Sequence, residues 1–336
     1  MEKNKTTIRI SFFLSGVSLI TLVFYLFSFS TYEEKEDLSH QRMFNDNYKI
    51  YTLNLPTDID FANEKVPIQL IDVAEKLDRE LLVNTYWQSN GFLLMKRVNR
   101  WFPIIEPILK EQGVPNDFKY LAVIESGLTQ IVSPAGATGF WQIMKATGKE
   151  YGLQVDNQID ERYHIEKSTR VACSYLKEAK EKFGSWTLAG ASYNMGMNGM
   201  SRQLDKQRVT SYYDLLLNSE TSRYLFRIVA LKYILTNPKD FGFNYRTKDL
   251  YPTIPTQEIT LDSSVANFTL YSQQLGINYK VLKYFNPWLR QSYLKNASGK
   301  SFSIKVPHEE YRQKLILETP NFQMDTISST DSLKTK

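Results

Sequence analysis

The chain has 336 residues, room for about two domains, and with 42% hydrophobic and 23% charged residues most of it is expected to fold. Its net charge of +5 is spread without a Lys/Arg block, so no nucleic-acid partner is expected; a plain basic surface or an attraction to anionic polymers such as cell-wall glycans or lipid surfaces both fit. A single cysteine, Cys173, rules out an intrachain disulfide, and three histidines without metal-ligand spacing point to no metal and no cofactor.

The N-terminus carries Lys3, Lys5 and Arg9, and Ile10 to Phe29 then runs about twenty residues without a charge. That layout suits a secretory signal or a membrane anchor over residues 1–30, with the cationic end left in the cytoplasm. No cysteine follows the run, which excludes a lipoprotein anchor, and "SFS" before Thr31 is a poor cleavage site. Anchor and cleaved signal both stay open; either exports the remainder to the periplasm or cell envelope.

Residues 31–63 are polar and irregular and read as a spacer. Residues 64–245 read as an all-α domain. "IQLIDVAEKLDRELLVNTYW" and "FLLMKRVNRWFPIIEPILKEQG" are two helices, the second stopped by Gly113 and Pro115. "HIEKSTRVACSYLKEAKEKFG" is an amphipathic helix with Ile165, Ala172, Leu176, Ala179 and Phe183 on one side, where Cys173 is a small core residue. "WTLAGASYNMGMNG" is a short helix ending in a glycine-rich turn, and "ETSRYLFRIVALKYILT" a last one closed by Asn237-Pro238. Residues 250–310 run strand, short helix, second helix, strand. A polar tail over 320–336 is expected to be disordered.

Between the second helix and a breaker-rich loop, "SPAGATG", lies "YLAVIESGLTQ". As a helix opened by "VPND", it stacks Phe118, Leu121, Ala122 and Glu125 on one stripe. A carboxyl on an inner stripe is costly unless it is paired or used. An apolar setting raises a glutamate's pKa, which fits it to protonate the leaving oxygen of a glycosidic bond. The competing reading is a glutamate at a helix end that turns outward or pairs with an arginine. Gly139-Phe140-Trp141-Gln142 then brings aromatic rings and an amide, Ser192-Tyr193-Asn194 precedes a glycine turn, and Tyr224 lies on the last helix. Rings that stack on sugar faces and amides that bond N-acetyl groups suit a glycan cleft, though each residue alone is as well read as core.

In this order, "ESG", "GFWQ", "ASYN" and "ETSRYL" resemble the lytic murein transglycosylases with a goose-type-lysozyme-like catalytic domain, of the membrane-bound lytic transglycosylase D type. The likeness covers Ile68 to Thr236. It departs at Ser192 and Gly127, where alanine is more usual. The resemblance implies a mainly α fold: a lysozyme-like helical domain that cleaves the MurNAc–GlcNAc β-1,4 bond of peptidoglycan without water. Glu125 would be the single acid and then base, and the sugar's N-acetyl group would assist. Ser126 and Gln142 would hold Glu125 and the N-acetyl group, Tyr193 would hydrogen-bond near the acid, and Asn194 would support the turn. Phe140, Trp141 and Tyr224 would line the cleft, and peptidoglycan strands would be the partner. A muramidase-type hydrolase and an inactive cell-wall binding protein are the alternatives. The C-terminal stretch resembles a small α+β LysM repeat, but has Leu261-Asp262-Ser263-Ser264 where Gly-Asp is usual.

Overall fold

The computed structural model describes residues 35–43 and 51–316; the expected export segment and the expected polar tail lie outside the described residues. The chain divides into two units at Leu53. In the first, residues 35–43 are helical. All that follows concerns the second. Among the described residues no helix is long and apolar enough to cross a membrane.

Eight helices build the larger part of this unit: α1 (Ile71–Tyr86), α2 (Gln88–Glu111), α3 (Lys119–Ser126), α4 (Lys145–Glu150), α5 (Ile165–Phe183), α6 (Trp186–Met195), α7 (Met197–Gln207) and α8 (Thr221–Thr236). Helix α8 is central. Tyr224, Leu225, Phe226, Ile228, Val229, Ala230, Leu231 and Ile234 are all buried, so apolar side chains surround it rather than mark one stripe. Helix α1 packs along it with Val73, Leu77 and Leu81. Helix α2 carries Pro103 and Pro107 in its interior yet continues, because Ile105, Ile108 and Leu109 between and beyond them are buried. Each internal proline costs about 3 kcal/mol of helix stability, and burying three such side chains offsets much of that, at about 1.5–3 kcal/mol each. Helices α4 and α7 are not in the sequence reading. The stretch read as a continuing glycine turn narrows to Gly196 (φ 79°), after which α7 begins at once.

The polar spacer expected up to residue 63 ends earlier. Ile59, Phe61, Ala62 and Val66 are buried in the core. Strand β1 (Asp60–Phe61) pairs antiparallel with β2 (Glu64–Lys65), and the linking residues Ala62 and Asn63 both take positive φ, 54° and 64°. Two such residues close a tight hairpin whose twist matches its strands. Charged neighbours hid the one ring that matters here: Phe61 packs edge-on against Phe118 at 5.0 Å.

The hairpin also delivers Glu64 to the start of α6. Its carboxylate accepts the backbone N–H groups of Trp186 (2.7 Å) and Thr187 (2.9 Å) and the Ser185 hydroxyl (2.7 Å). These are donors that a helix leaves unsatisfied at its first turn, where negative charge is also favoured. Partial burial works to raise the Glu64 pKa, but the bonds from Ser185, Thr187 and Trp186 outweigh it and hold it at about 2.

The C-terminal module has the expected order. Strand β3 (Thr256–Leu261) pairs antiparallel with β4 (Phe302–Pro307), Ile259 opposite Ile304, and between them lie α9 (Phe268–Gln274) and α10 (Tyr279–Phe285). Asn267 and Asn278 cap the two helices through bonds to Thr269 N (2.7 Å) and Val281 N (2.9 Å). Buried Asn286, of the Asn-Pro pair after α10, donates to Leu282 O and Lys305 O and accepts from Lys305 N, which locks the helix end to β4. Ile159 and Tyr163, from the loop between α4 and α5, are members of this module's core. The expected fold class is met: a helical domain with a small α+β module.

Because Glu64 has a folded pKa below its ordinary 4.5, the stability it supplies is present above pH 4.5 and is lost as pH falls toward 2. Glu64→Gln is therefore expected to lower Tm at pH 7 while narrowing the gap between Tm at pH 7 and Tm at pH 3. Equal Tm losses at both pH values would show that the charge at this helix start is immaterial.

Candidate active site

Helix α3 is short and ends abruptly. Gly127 (φ 57°) and Leu128 (φ 55°) are both left-handed, and Gly127 N–H closes on Val123 O at 2.8 Å. Phe118, Leu121 and Ala122 are buried as the stripe predicts, and Glu125 lies half-buried on the helix's last turn. Burial pushes its carboxyl up to about 7; the Tyr224 hydroxyl and the Arg227 charge pull it down, and the Glu220 charge pushes it up. Its place at a helix C-terminus, where carbonyl oxygens face out, acts in the same upward direction. The reading in which Glu125 pairs with an arginine is not met: Arg227 donates instead to Ile124 O at 3.3 Å.

Tyr224 reaches Glu125 from α8. Its ring is fully buried and its hydroxyl donates to Glu125 Oε1. Burial raises the Tyr224 phenol well above 10, with the Glu125 charge adding to it, so it stays a donor at every working pH. Tyr193, on α6, donates its hydroxyl to Trp141 O at 2.8 Å and packs edge-on against Tyr175 at 5.2 Å. Asn194 accepts from the Thr221 hydroxyl (2.7 Å) and donates to Glu220 (3.1 Å), joining the end of α6 to the start of α8.

The loop from residue 130 to 143 is placed otherwise than expected. Trp141 does not wall a cleft. It is fully buried, and its indole N–H donates to Thr169 Oγ1 at 2.8 Å, so the ring fills the core and only its carbonyl faces Tyr193. Phe140 is likewise buried, edge-on against Trp101 at 5.2 Å. Large rings yield most when wholly removed from water, and here the core competes successfully for both. Ser126 does not bond Glu125; its hydroxyl donates to Phe140 O (2.9 Å) and Ala122 O (3.2 Å). Gln142 is left-handed at φ 46°, and its amide N–H groups donate to Gly139 O (2.8 Å) and Ile131 O (3.2 Å), closing its own loop. The structure thus brings Glu125, Tyr224, Tyr193 and the backbone of residues 140 and 141 together, while Ser126 and Gln142 hold the loop.

Sequence reasoning missed Arg227 and Glu220, which flank the acid in charge, and Tyr175. The first two fall at helical spacing around Tyr224 on the same segment, a signal that "ETSRYLFR" carried. Two other carboxylates, Asp156 and Asp160, are engaged elsewhere: Asp156 accepts the N–H groups of Gln158 and Ile159, and Asp160 pairs with Arg162. No group of His, Cys, Asp or Glu among the described residues is arranged to hold a metal ion. Cys173 is buried, and burial pushes its thiol up to about 12, so it is an inert core residue. A separate cavity of about 460 Å³ lies between the helical domain and the C-terminal module, lined by Trp101, Phe140, Tyr163, Tyr284 and Trp288 among others; neither Glu125 nor Tyr224 borders it.

Comparison with known proteins defines the class. Residues 102–215 match the family model of the transglycosylase SLT domain, and residues 257–310 that of the soluble lytic transglycosylase C-terminal LysM-like domain. Over these two stretches the chain resembles, in order, a transglycosylase SLT domain and a LysM-like domain. Among individual proteins it is similar to membrane-bound lytic murein transglycosylase D of Escherichia coli (strain K12): 29% identical over 211 residues, which are 61% of this chain and 46% of that protein. The chain therefore spans about half the length of the curated relatives it matches. Of solved structures, the 70-kDa soluble lytic transglycosylase from Escherichia coli aligns with a TM-score of 0.36 at 20% identity, over 41% of this chain and 24% of that one. A complex of the 70-kDa soluble lytic transglycosylase with bulgecin A aligns with a TM-score of 0.37 at 15% identity, over 64% and 43%.

A carboxyl raised to about 7 from an ordinary 4.5 is a stability cost that is absent below pH 4.5 and grows as pH rises through 7. Glu125→Gln keeps the shape and removes the titration. It is expected to raise Tm by several degrees at pH 8 and to leave it unchanged at pH 4. A Tm gain that does not depend on pH would contradict the raised pKa.

Proposed function

We propose that the protein is a peptidoglycan lytic transglycosylase in which Glu125 serves as acid and then as base. The observation that carries this reading is the setting of Glu125: half-buried, titrating near 7, and held by one neutral donor rather than by a cation. At neutral pH such a group exists in both protonation states, as one residue must to give a proton and take one back. The family match supplies the reaction class.

In the first step Glu125 protonates the glycosidic oxygen between MurNAc and GlcNAc. The C1–O bond breaks while the sugar's own N-acetyl oxygen stabilises the anomeric carbon. In the second step the Glu125 carboxylate takes the proton from the C6 hydroxyl, and that oxygen closes on C1 as a 1,6-anhydro ring. The first proton leaves on the departing sugar's hydroxyl, the C6 proton replaces it on Glu125, and no water is consumed. No second carboxylate is needed on such a substrate-assisted route. Tyr224 steadies the carboxylate state that the second step uses. Tyr193, Ser126, Gln142 and Asn194 keep the loop and the helix ends in place around it.

The segment boundaries of the sequence reading, with an export segment over 1–30 and a catalytic domain over 64–245, belong to this proposal, as does a place in the cell envelope. The name of the membrane-bound relative supports that location.

Digestion of purified sacculi followed by mass spectrometry is expected to yield fragments lighter by one water than their hydrolytic counterparts. Hydrated reducing ends instead would make the protein a hydrolase, and no fragments at all would favour a binding protein. Glu125→Gln should lower the rate by about 10²- to 10⁴-fold. In the wild type, activity is expected to fall as pH rises through about 7, where the acid loses its proton. Removing the Tyr224 hydroxyl by Tyr224→Phe disfavours the carboxylate and should move that limb to higher pH. A limb that stays in place would detach Tyr224 from the titration.

A further inference from the structure

A strap of residues 157–163, between α4 and α5, is shared by two bodies. One of its faces belongs to the C-terminal module. Gln158 O accepts Arg290 N at 2.7 Å, Trp288 O accepts Asp160 N at 2.9 Å, and Ile159 and Tyr163 complete the module's core. Arg290 lies over the Tyr163 ring, its guanidinium 4.1 Å from the centroid. The other face grips the loop of residues 130–143. Arg162 is buried and forked onto Asp160 (2.9 and 2.7 Å), and its Nη1 also donates to Gly136 O (3.0 Å) and Ile143 O (3.1 Å), at the middle and at the end of the loop. Tyr163 O accepts the Gln130 amide at 2.8 Å. At Gly139 the fit is so close that a Cβ would come within 2.3 Å of Arg162 O.

What the loop carries makes this grip consequential. Its residue 140 carbonyl holds the Ser126 hydroxyl at the end of α3, one residue from Glu125, and its residue 141 carbonyl holds the Tyr193 hydroxyl. We propose that Arg162 is a positioning residue for catalysis: with Asp160 it braces the 130–143 loop against the C-terminal module, which makes that module part of the catalytic framework. The proposal rests on the transglycosylase reading for its activity readout. Its physical basis is that a planar guanidinium offers donors in several fixed directions at once, which a lysine cannot do. One group thereby joins a carboxylate of the strap to two carbonyls of the loop, Gly136 O and Ile143 O.

The test uses the full chain. Arg162→Met made together with Asp160→Asn removes both charges, so that no buried carboxylate is stranded. Gly139→Ala pushes the loop off the strap without touching either partner's charge, and serves if the double variant fails to fold. Arg162→Lys is the conservative control. Far-UV circular dichroism and thermal melting establish folding. Two quantities are then read: kcat and KM for release of anhydro ends from soluble, peptide-free glycan strands, and the Glu125 carboxyl titration by ¹³C NMR. The expected result is a loss of about 10- to 100-fold in kcat with KM within about threefold, an intermediate loss for Arg162→Lys, and a Glu125 titration that falls from about 7 toward the ordinary 4.5 as water enters. A folded variant with wild-type kcat, a loss confined to KM, or an unmoved titration overturns the proposal. If the wild type itself releases no anhydro ends, the functional reading fails, and the titration still decides the role of Arg162.

Discussion

A carboxyl kept largely from water at the last turn of a short helix is the constraint around which the rest of the molecule is arranged. Glu125 is only half-buried, and were it fully wet it would titrate near 4.5 and hold no proton at neutral pH. The intermediate setting is produced by specific parts. Helix α3 ends at two consecutive left-handed residues, so the chain turns away and exposes one edge of the carboxyl. The central helix α8 brings a phenol that donates without adding positive charge. Arg227 and Glu220 stand near enough to act by charge, in opposite directions.

Several of these parts were legible in the sequence because they follow from local periodicity. The stripe Phe118, Leu121, Ala122, Glu125 announced a carboxyl on an inner face, and the helices around it followed from apolar spacing and from glycine and proline stops. The strand–helix–helix–strand order of the C-terminal module was legible for the same reason. What could not be read is where a side chain points when two destinations compete. Trp141 and Phe140 have the composition of cleft walls, yet the Trp141 ring is spent in the core, and the carbonyls of both residues hold side chains of α3 and α6. A one-letter string gives no sign that a residue acts through its backbone. The hairpin at residues 60–65 was hidden for a related reason: its stability comes from one ring and one distant helix start, Phe61 on Phe118 and Glu64 at α6, neither of which leaves a local pattern.

Long-range polar contacts explain the remaining gap. Most groups that fix the loop of residues 130–143 reach it from elsewhere in the chain: Ser126 from α3, Tyr193 from α6, Arg162 from the strap. Each contact is an ordinary neutral or charge-assisted bond. Together they leave the loop few alternatives, since the carbonyls of the buried residues Phe140 and Trp141 would lose these bonds if the loop moved. Rigidity at the site therefore comes from satisfied backbone rather than from regular secondary structure. This is consistent with a loop that carries isolated bridges, Val132 to Thr138 and Thr138 to Ile143, in place of a sheet.

The sharing of Ile159 and Tyr163 bears on how the molecule assembles. These two side chains lie about a hundred residues upstream of the strands and helices whose core they complete. The C-terminal module thus closes its core only after a segment made much earlier has taken its place. Contacts of such sequence separation are slow to form, because a long loop must be closed before they bring any gain. During synthesis the segment that carries Ile159 and Tyr163 is made before the strands and helices whose core it completes. Assembly in that order ties completion of the last-made part to correct folding of the first.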